Sequence, residues 1–348
     1  MKTVSNLPIE LLRPIIQQIE EAATLASVCL ASRLLGAEAQ RVLYFSPTDF
    51  CLRRPNQHIR LLACLLQHDR FPPLVKSYRI PAIAGPKKDA IWARLPAVLP
   101  LMVNLKDLSL MGFSTDFNEL PMDKIICQLE SLTWVQIDSQ LSNVLSNWLP
   151  TQKALRKLRW IYRRPVEIPP TACPNLQTLE GCFHVISTLL PGRNIKRLNW
   201  IADPTLKMCS SVHSTLNILS EPLQTLDLIS FDTQLNAIHY HSLADHLPSK
   251  CAVELNGGNI ESIYKTVLFL PNLRILILST QNGYSDDFVL PDEQRQPLIQ
   301  DLFAKSSTLV QVYVVAKLSG PNTFYECWEN GSKREGLIPL KYILERRG

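Results

Sequence analysis

A run of the form L-x-x-L-x-L returns along this chain from residue 75 onward, and it constrains the fold more than any other feature. Side chains alternate across a strand, so the spaced apolar residues of such a run turn inward while its third and fifth residues face out. Full copies stand at residues 75–80, 105–110, 129–134, 155–160, 176–181, 195–200, 223–228, 273–278 and 309–314, with a degenerate copy at 253–255. Most successive starts are 19 to 30 residues apart. A unit that short cannot bury its own apolar stripe; it must stack on its neighbours.

The spacing resembles that of leucine-rich repeats, which place one strand and one helix or turn in about 20–29 residues. Pro174-Asn175-Leu176 and Pro271-Asn272-Leu273 read as turns that deliver the chain into a strand. Amphipathic stretches at 141–149 and 260–270 suit the helices between strands. A doubly wound α/β sheet would also alternate strands and helices, but no strand is followed by a glycine-rich phosphate loop and the repeat phase is too regular. The expected fold class is therefore α/β, with residues 71–348 forming a curved leucine-rich-repeat-like solenoid. Residues 46–70 would be a linker and capping helix, the helix itself at 56–68, and Asn330-Gly331 signals a hairpin turn near the far end.

Residues 1–45 read differently. Asn6 is placed to cap a helix starting near Pro8, and Leu11, Leu12, Ile15, Ile16 and Ile19 follow at helical spacing. A polar break at 20–24 precedes a second apolar run of Leu25, Val28, Cys29 and Leu30, and a third helix-forming segment runs from Ser32 to Tyr44. Three short helices have too little volume for this many apolar side chains, so some must meet the following domain or a second protein.

Leu7-Pro8-Ile9-Glu10-Leu11-Leu12, then Ile15-Ile16, Ile19, Leu25, and Leu30 with Ser32-Arg33, resembles an F-box. The stretch from Ala31 to Tyr44 is similar to the segment after the F-box in many fungal members. The resemblance implies that the N-terminal helices pack on the small adaptor of a cullin-type ubiquitin ligase while the rest of the chain captures a protein substrate. On that reading Leu7, Pro8, Ile9, Leu11, Leu12, Ile15, Ile16, Ile19, Leu25, Val28 and Leu30 carry adaptor binding by apolar burial. The alternatives are a helical cap on a repeat scaffold with no ligase role, and an enzyme with its site on loops of the concave side.

The outward residues of the repeats give candidate substrate contacts. Arg79, Lys157, Arg159, Arg197, Asn199 and Asp227 are polar, whereas Ile275, Ile277 and Tyr313 make the C-terminal end apolar or aromatic. A cationic middle with an apolar end would suit an acidic partner carrying a hydrophobic anchor. Trp134, Trp160 and Trp200 take inward positions and read as core.

Other function classes find little support. With 36 basic against 31 acidic residues the net charge is only +5, and nothing concentrates it as a nucleic-acid binder would. The nine cysteines are scattered without a C-x-x-C pair, as expected of reduced thiols in the cytoplasm or nucleus. No signal peptide and no run of about 20 apolar residues is found, so no membrane association is expected. His239-Tyr240-His241 with His246, and Asp286-Asp287, lack the spaced further ligands of a metal site. No G-x-S-x-G, Walker or G-x-G-x-x-G motif occurs, so neither cofactor nor catalysis is expected.

Overall fold

The computed structural model describes residues 8–19, 21–51, 54–83, 85, 87–113, 116–117, 120–136, 144–162, 165, 167–201, 225–232, 247–256, 260–279, 292–319, 322–339 and 342–343. The histidine cluster at 239–246, Asp286-Asp287, and Arg163-Arg164, which the sequence adds to the cationic middle just beyond the run at 155–160, lie outside them. The chain divides into two compact units, Met1–Arg159 with Ala172–Pro174, and Trp160–Thr171 with Asn175–Gly348.

The first unit opens with helices α1 (Ile9–Gln17), α2 (Ala22–Ala31) and α3 (Arg33–Phe45). Leu12 and Ile16 lie one turn apart on α1 and meet Leu25 of α2 and Ala39 of α3 in a small buried core, with Ile19 and Val28 packed against it. Ser32 breaks the helical path at φ −161°, and its hydroxyl accepts the amide of Leu35 at 3.2 Å to start α3. Gly36 lets α2 and α3 cross closely: a Cβ there would stand 2.7 Å from the carbonyl oxygen of Cys29. The carboxylate of Glu38, fully buried on α3, accepts Arg13 Nε of α1 at 3.1 Å and also Arg41. That pairing lets a charged residue sit inside so small a bundle.

Helix α4 (Pro55–Gln67) begins on a proline, whose missing amide leaves no orphan in the first turn. Buried His58 on α4 shares a 2.7 Å hydrogen bond with the hydroxyl of Tyr78 on strand β1 (Ser77–Ile80). The end of α3 joins the same region: the Tyr44 ring stacks on Phe71 at 4.3 Å, and the Lys76 amide donates to the Phe45 carbonyl at 2.9 Å. Residues 1–45, 46–70 and the first strands thus belong to one compact unit.

Strands β2 (Asp107–Gly112), β3 (Ser131–Gln136) and β4 (Lys157–Ile161) continue the array, and β1, β2 and β3 pair in parallel. The register sets Leu108 opposite Leu132 and Leu110 opposite Trp134, as the repeating run requires. Ahead of each strand one carbonyl takes two amides of the next repeat. Lys76 O accepts from Lys106 N and Asp107 N at 2.8 and 3.0 Å; Lys106 O accepts from Glu130 N and Ser131 N at 2.8 and 3.1 Å; Glu130 O accepts from Arg156 N and Lys157 N at 2.9 and 3.0 Å. Between these repeats buried Gln152 accepts the Leu129 amide at 2.9 Å and donates to the Cys127 carbonyl at 3.3 Å. Trp134 is buried, as expected.

In the second unit β5 (Thr178–Gly181), β6 (Arg197–Trp200), β7 (Leu228–Asp232), β8 (Ala252–Asn256), β9 (Ile275–Ser279) and β10 (Gln311–Ser319) pair in parallel, each with its successor. The degenerate copy at 253–255 is a full strand, β8. Helices Phe183–Leu189, Ile260–Phe269 and Asp292–Lys305 lie between strands in the chain. Strands β11 (Asn322–Glu329) and β12 (Ser332–Pro339) then close antiparallel. Their turn is the expected Asn330-Gly331, with φ of 48° and 80°, the left-handed pair that a two-residue hairpin needs. The fold class is α/β: helices, then mostly parallel leucine-rich-repeat-like units.

One repeat is out of the expected phase. The run at 223–228 predicts Thr225 and Asp227 as outward strand residues, but Arg197 pairs with Leu228 and Asn199 with Ser230. The repeat therefore starts at Leu226, with Leu226 and Ile229 at the inward positions, both fully buried. Asp227 precedes the strand, where its exposed carboxylate lies 3.8 Å from Lys250 Nζ. The side chain of Thr225 donates to the Ile195 carbonyl at 2.9 Å; the Thr308 hydroxyl, just ahead of Leu309, likewise reaches back to the preceding repeat, 2.6 Å from the Pro271 carbonyl and 3.2 Å from that of Leu273. The register fixes the later start.

Burial pushes His58 down to about 4 from an ordinary 6.5. The unfolded chain takes up that proton first as pH falls, so stability decreases between about pH 6.5 and 4, by roughly 3 kcal/mol in all. Urea unfolding at pH 7, 5.5 and 4.5 should show this loss in the wild type and a smaller one in His58→Gln; equal losses would show that His58 is not the titrating group.

Candidate functional site

Two surfaces carry the candidate residues. The first is on the N-terminal helices. Their eleven candidates divide by side of helix, because α1 turns Leu12 and Ile16 inward and Leu11 and Ile15 outward. Leu12, Ile16 and Leu25 form the bundle's own core, and Ile19 and Val28 are half-buried against it. Leu11 and Ile15 remain 51% and 56% exposed, Leu30 at the end of α2 is 88% exposed, and Pro8 ahead of α1 is exposed as well. Ile9 opens α1, and Leu7 lies outside the described residues. Leu34, 40% exposed on α3, is an open apolar residue that helical spacing alone does not single out.

The second surface is the outward face of the strands. In the first unit the register aligns Arg79 with Ser109 and Thr133. Arg79 and Lys157 are exposed and Arg159 is half-buried. In the second unit Glu180 aligns with Asn199, beside exposed Arg197, and these positions are open or half-open. From β7 on the same face closes.

The closing corrects one expectation. Ile277 and Tyr313, read as an apolar anchor for a partner, are buried, and Ile275 is packed against the cluster that holds them. That cluster joins Leu228, Ala252, Val315, Tyr325 and Cys327 on the strands to Ile343 beyond β12, with Ile338 of β12 alongside. The apolar end of the face is covered by the chain's own C-terminal residues.

Inside this covered face stands one acidic residue. Glu254 of β8 accepts the hydroxyls of Ser230 at 2.6 Å and Ser279 at 2.5 Å, and Ser279 shares a further 2.8 Å hydrogen bond with the Tyr325 hydroxyl. Burial pushes Tyr325 up to about 12, so it stays protonated. Hydroxyls bound to a carboxylate satisfy it, and no histidine among the described residues shares the cluster to activate them as nucleophiles.

Cys51, Cys127, Cys173, Cys182, Cys251 and Cys327 are buried, and no disulfide is formed among the described residues. Burial pushes Cys51 and Cys127 up to about 11, far from thiolate reactivity. Among the described residues no three His, Cys, Asp or Glu side chains are grouped to hold a metal ion, and no helix is long and apolar enough to cross a membrane.

Strand order, register and the repeated paired-amide bond define the class: an α/β protein of leucine-rich-repeat-like units behind three short helices. No protein-family model matches the chain. No curated protein matches it either. Among solved structures it is similar to the crystal structure of human 5T4 (Wnt-activated inhibitory factor 1, trophoblast glycoprotein), at 13% identity over 60% of this chain and 71% of that one, with a TM-score of 0.23. A superposition that loose adds nothing to the strand register.

Core and surface residues of the helices should separate under mutation. Leu12→Ala is expected to lower unfolding free energy by about 2–5 kcal/mol, since it opens a cavity in a small core. Leu30→Ala should stay within about 0.5 kcal/mol of wild type. Urea titration followed by circular dichroism checks both, and comparable losses would contradict the division.

Proposed function

We propose that the protein is a substrate-recruiting subunit of a cullin-type ubiquitin ligase, binding the ligase adaptor through its N-terminal helices and a protein substrate through its repeats. The observation that carries this reading is the set of apolar side chains left open once the bundle has filled its own core: Leu11 and Ile15 on one face of α1, and Leu30 closing α2. Apolar residues of that size on a short helical segment are expected to be covered by another polypeptide. They fall within the stretch whose Leu-Pro-x-Glu-Leu-Leu and Ser-Arg residues resemble an F-box.

The substrate would meet the open strand positions: Arg79, Lys157 and Arg159 in the first unit, and Arg197 and Asn199 in the second. Their cationic character favours an acidic substrate surface. The protein's part is to tether. A partner held beside a recruited enzyme gains effective concentration, and no group of this chain needs to react. Such a role fits a cytoplasmic or nuclear protein, in keeping with the free thiols of the described residues.

Leu11→Asp and Ile15→Asp test the reading without touching the core. Each should weaken binding of the whole chain to purified adaptor more than tenfold, or about 1.4 kcal/mol, in a titration by calorimetry. Thermal unfolding should remain that of the wild type. Wild-type affinity in both variants, or no adaptor binding by the wild-type chain, would remove the ligase role.

A further inference from the structure

A cleft of about 580 Å³ lies within the first unit, where the end of α3 meets the turn before β1. Its chemistry is mixed. Arg13, Arg41 and Lys76 supply cations, Phe45 and Leu74 supply apolar surface, and Glu38 lies at its base.

The cations are held by construction. Glu38 is completely buried and takes one bond from each arginine, through Arg13 Nε and Arg41 Nη1. Those bonds fix two guanidinium groups side by side, each side chain still more than half exposed, at 55% and 53%. Each guanidinium keeps further N–H groups beyond the one Glu38 occupies, and two such forks suit a carboxylate better than any neutral group. Three cations against one carboxylate leave the cleft positive. Lys76 is fixed at the backbone, where its N–H donates a hydrogen bond to the Phe45 carbonyl at 2.9 Å. Phe45 is 55% exposed, a large apolar residue beside the charges.

We propose that this cleft binds an extended peptide segment of a partner protein in which acidic residues flank a large apolar one. The carboxylates would engage Arg13, Arg41 and Lys76, and the apolar side chain would cover Phe45 and Leu74. The half-open walls select this occupant. A small ligand site normally encloses most of its ligand, whereas Arg13, Arg41 and Phe45 stand largely in solvent and suit a chain laid across them. The site is separate from the open apolar residues of α1 and from the outward strand face, so it stands whether or not the chain binds a ligase adaptor.

The test uses the full chain and a fluorescein-labelled hexapeptide, Glu-Glu-Leu-Phe-Glu-Glu, with a counterpart carrying lysine for each glutamate. Fluorescence anisotropy at low salt should show the acidic peptide binding at least tenfold tighter, with affinity falling as salt rises. Lys76→Glu and Phe45→Ser should each weaken it tenfold or more while thermal unfolding by circular dichroism stays as in the wild type; neither residue belongs to the bundle core. Equal binding of the two peptides, or unchanged affinity in both variants, would overturn the proposal. Complete displacement of the peptide by an equimolar amount of octanoate would overturn it in favour of a small carboxylate as the occupant.

Discussion

The parallel strands of both units depend on one recurring hydrogen-bonding device: at six places the carbonyl ahead of a strand takes two amides from the next repeat. A carbonyl has two lone pairs, and both are used at Lys76, Lys106, Glu130, Gln177, Lys196 and Arg274. The pairing pins the residue before a strand and the first strand residue together, so register cannot slip by one without losing both bonds. A one-residue slip would also turn each buried leucine outward. Hydrogen bonding and burial therefore demand the same register, and the interval between strands is free to vary in length and in helix content.

Most of this was legible in the sequence because the inward positions are nearly always large and apolar. Where two frames were equally apolar, legibility failed. Leu223, Leu226 and Ile229 are spaced by three, so the run could begin at either leucine. Burial of Ile229 and the bond from Thr225 to the preceding repeat select the second. The available signal was a threonine directly before the first leucine, as at Thr308, which a search for apolar residues alone passes over. The covered face at β9 and β10 failed for a different reason. Outward isoleucines in a strand look like an anchor for a partner, but a chain can cover them itself, and only tertiary placement of Ile343 and Ile338 distinguishes the cases.

The N-terminal helices show the complementary limit. Helical spacing correctly groups Leu12 with Ile16 and Leu11 with Ile15, since each pair is one turn apart. It says nothing about which pair faces the core. That choice follows from where α3 packs, and α3 is held by the Glu38 ion pairs and by the close crossing at Gly36. A surplus of apolar residues was readable from composition; the identity of the surplus was not.

A buried carboxylate in so small a bundle has consequences on both sides of the helix. Removing Glu38 from water is tolerable only with its two arginines in place, since an unpaired buried charge is strongly destabilising. The same two bonds anchor α1 against α3, which decides that Leu12 and Ile16 are covered and Leu11 and Ile15 are not. They also hold two guanidinium groups at the cleft beside Phe45. One buried acid thus sets the apolar face on one side of the first helix and the cationic cleft on the other, and neither surface could be altered at that position without disturbing the other.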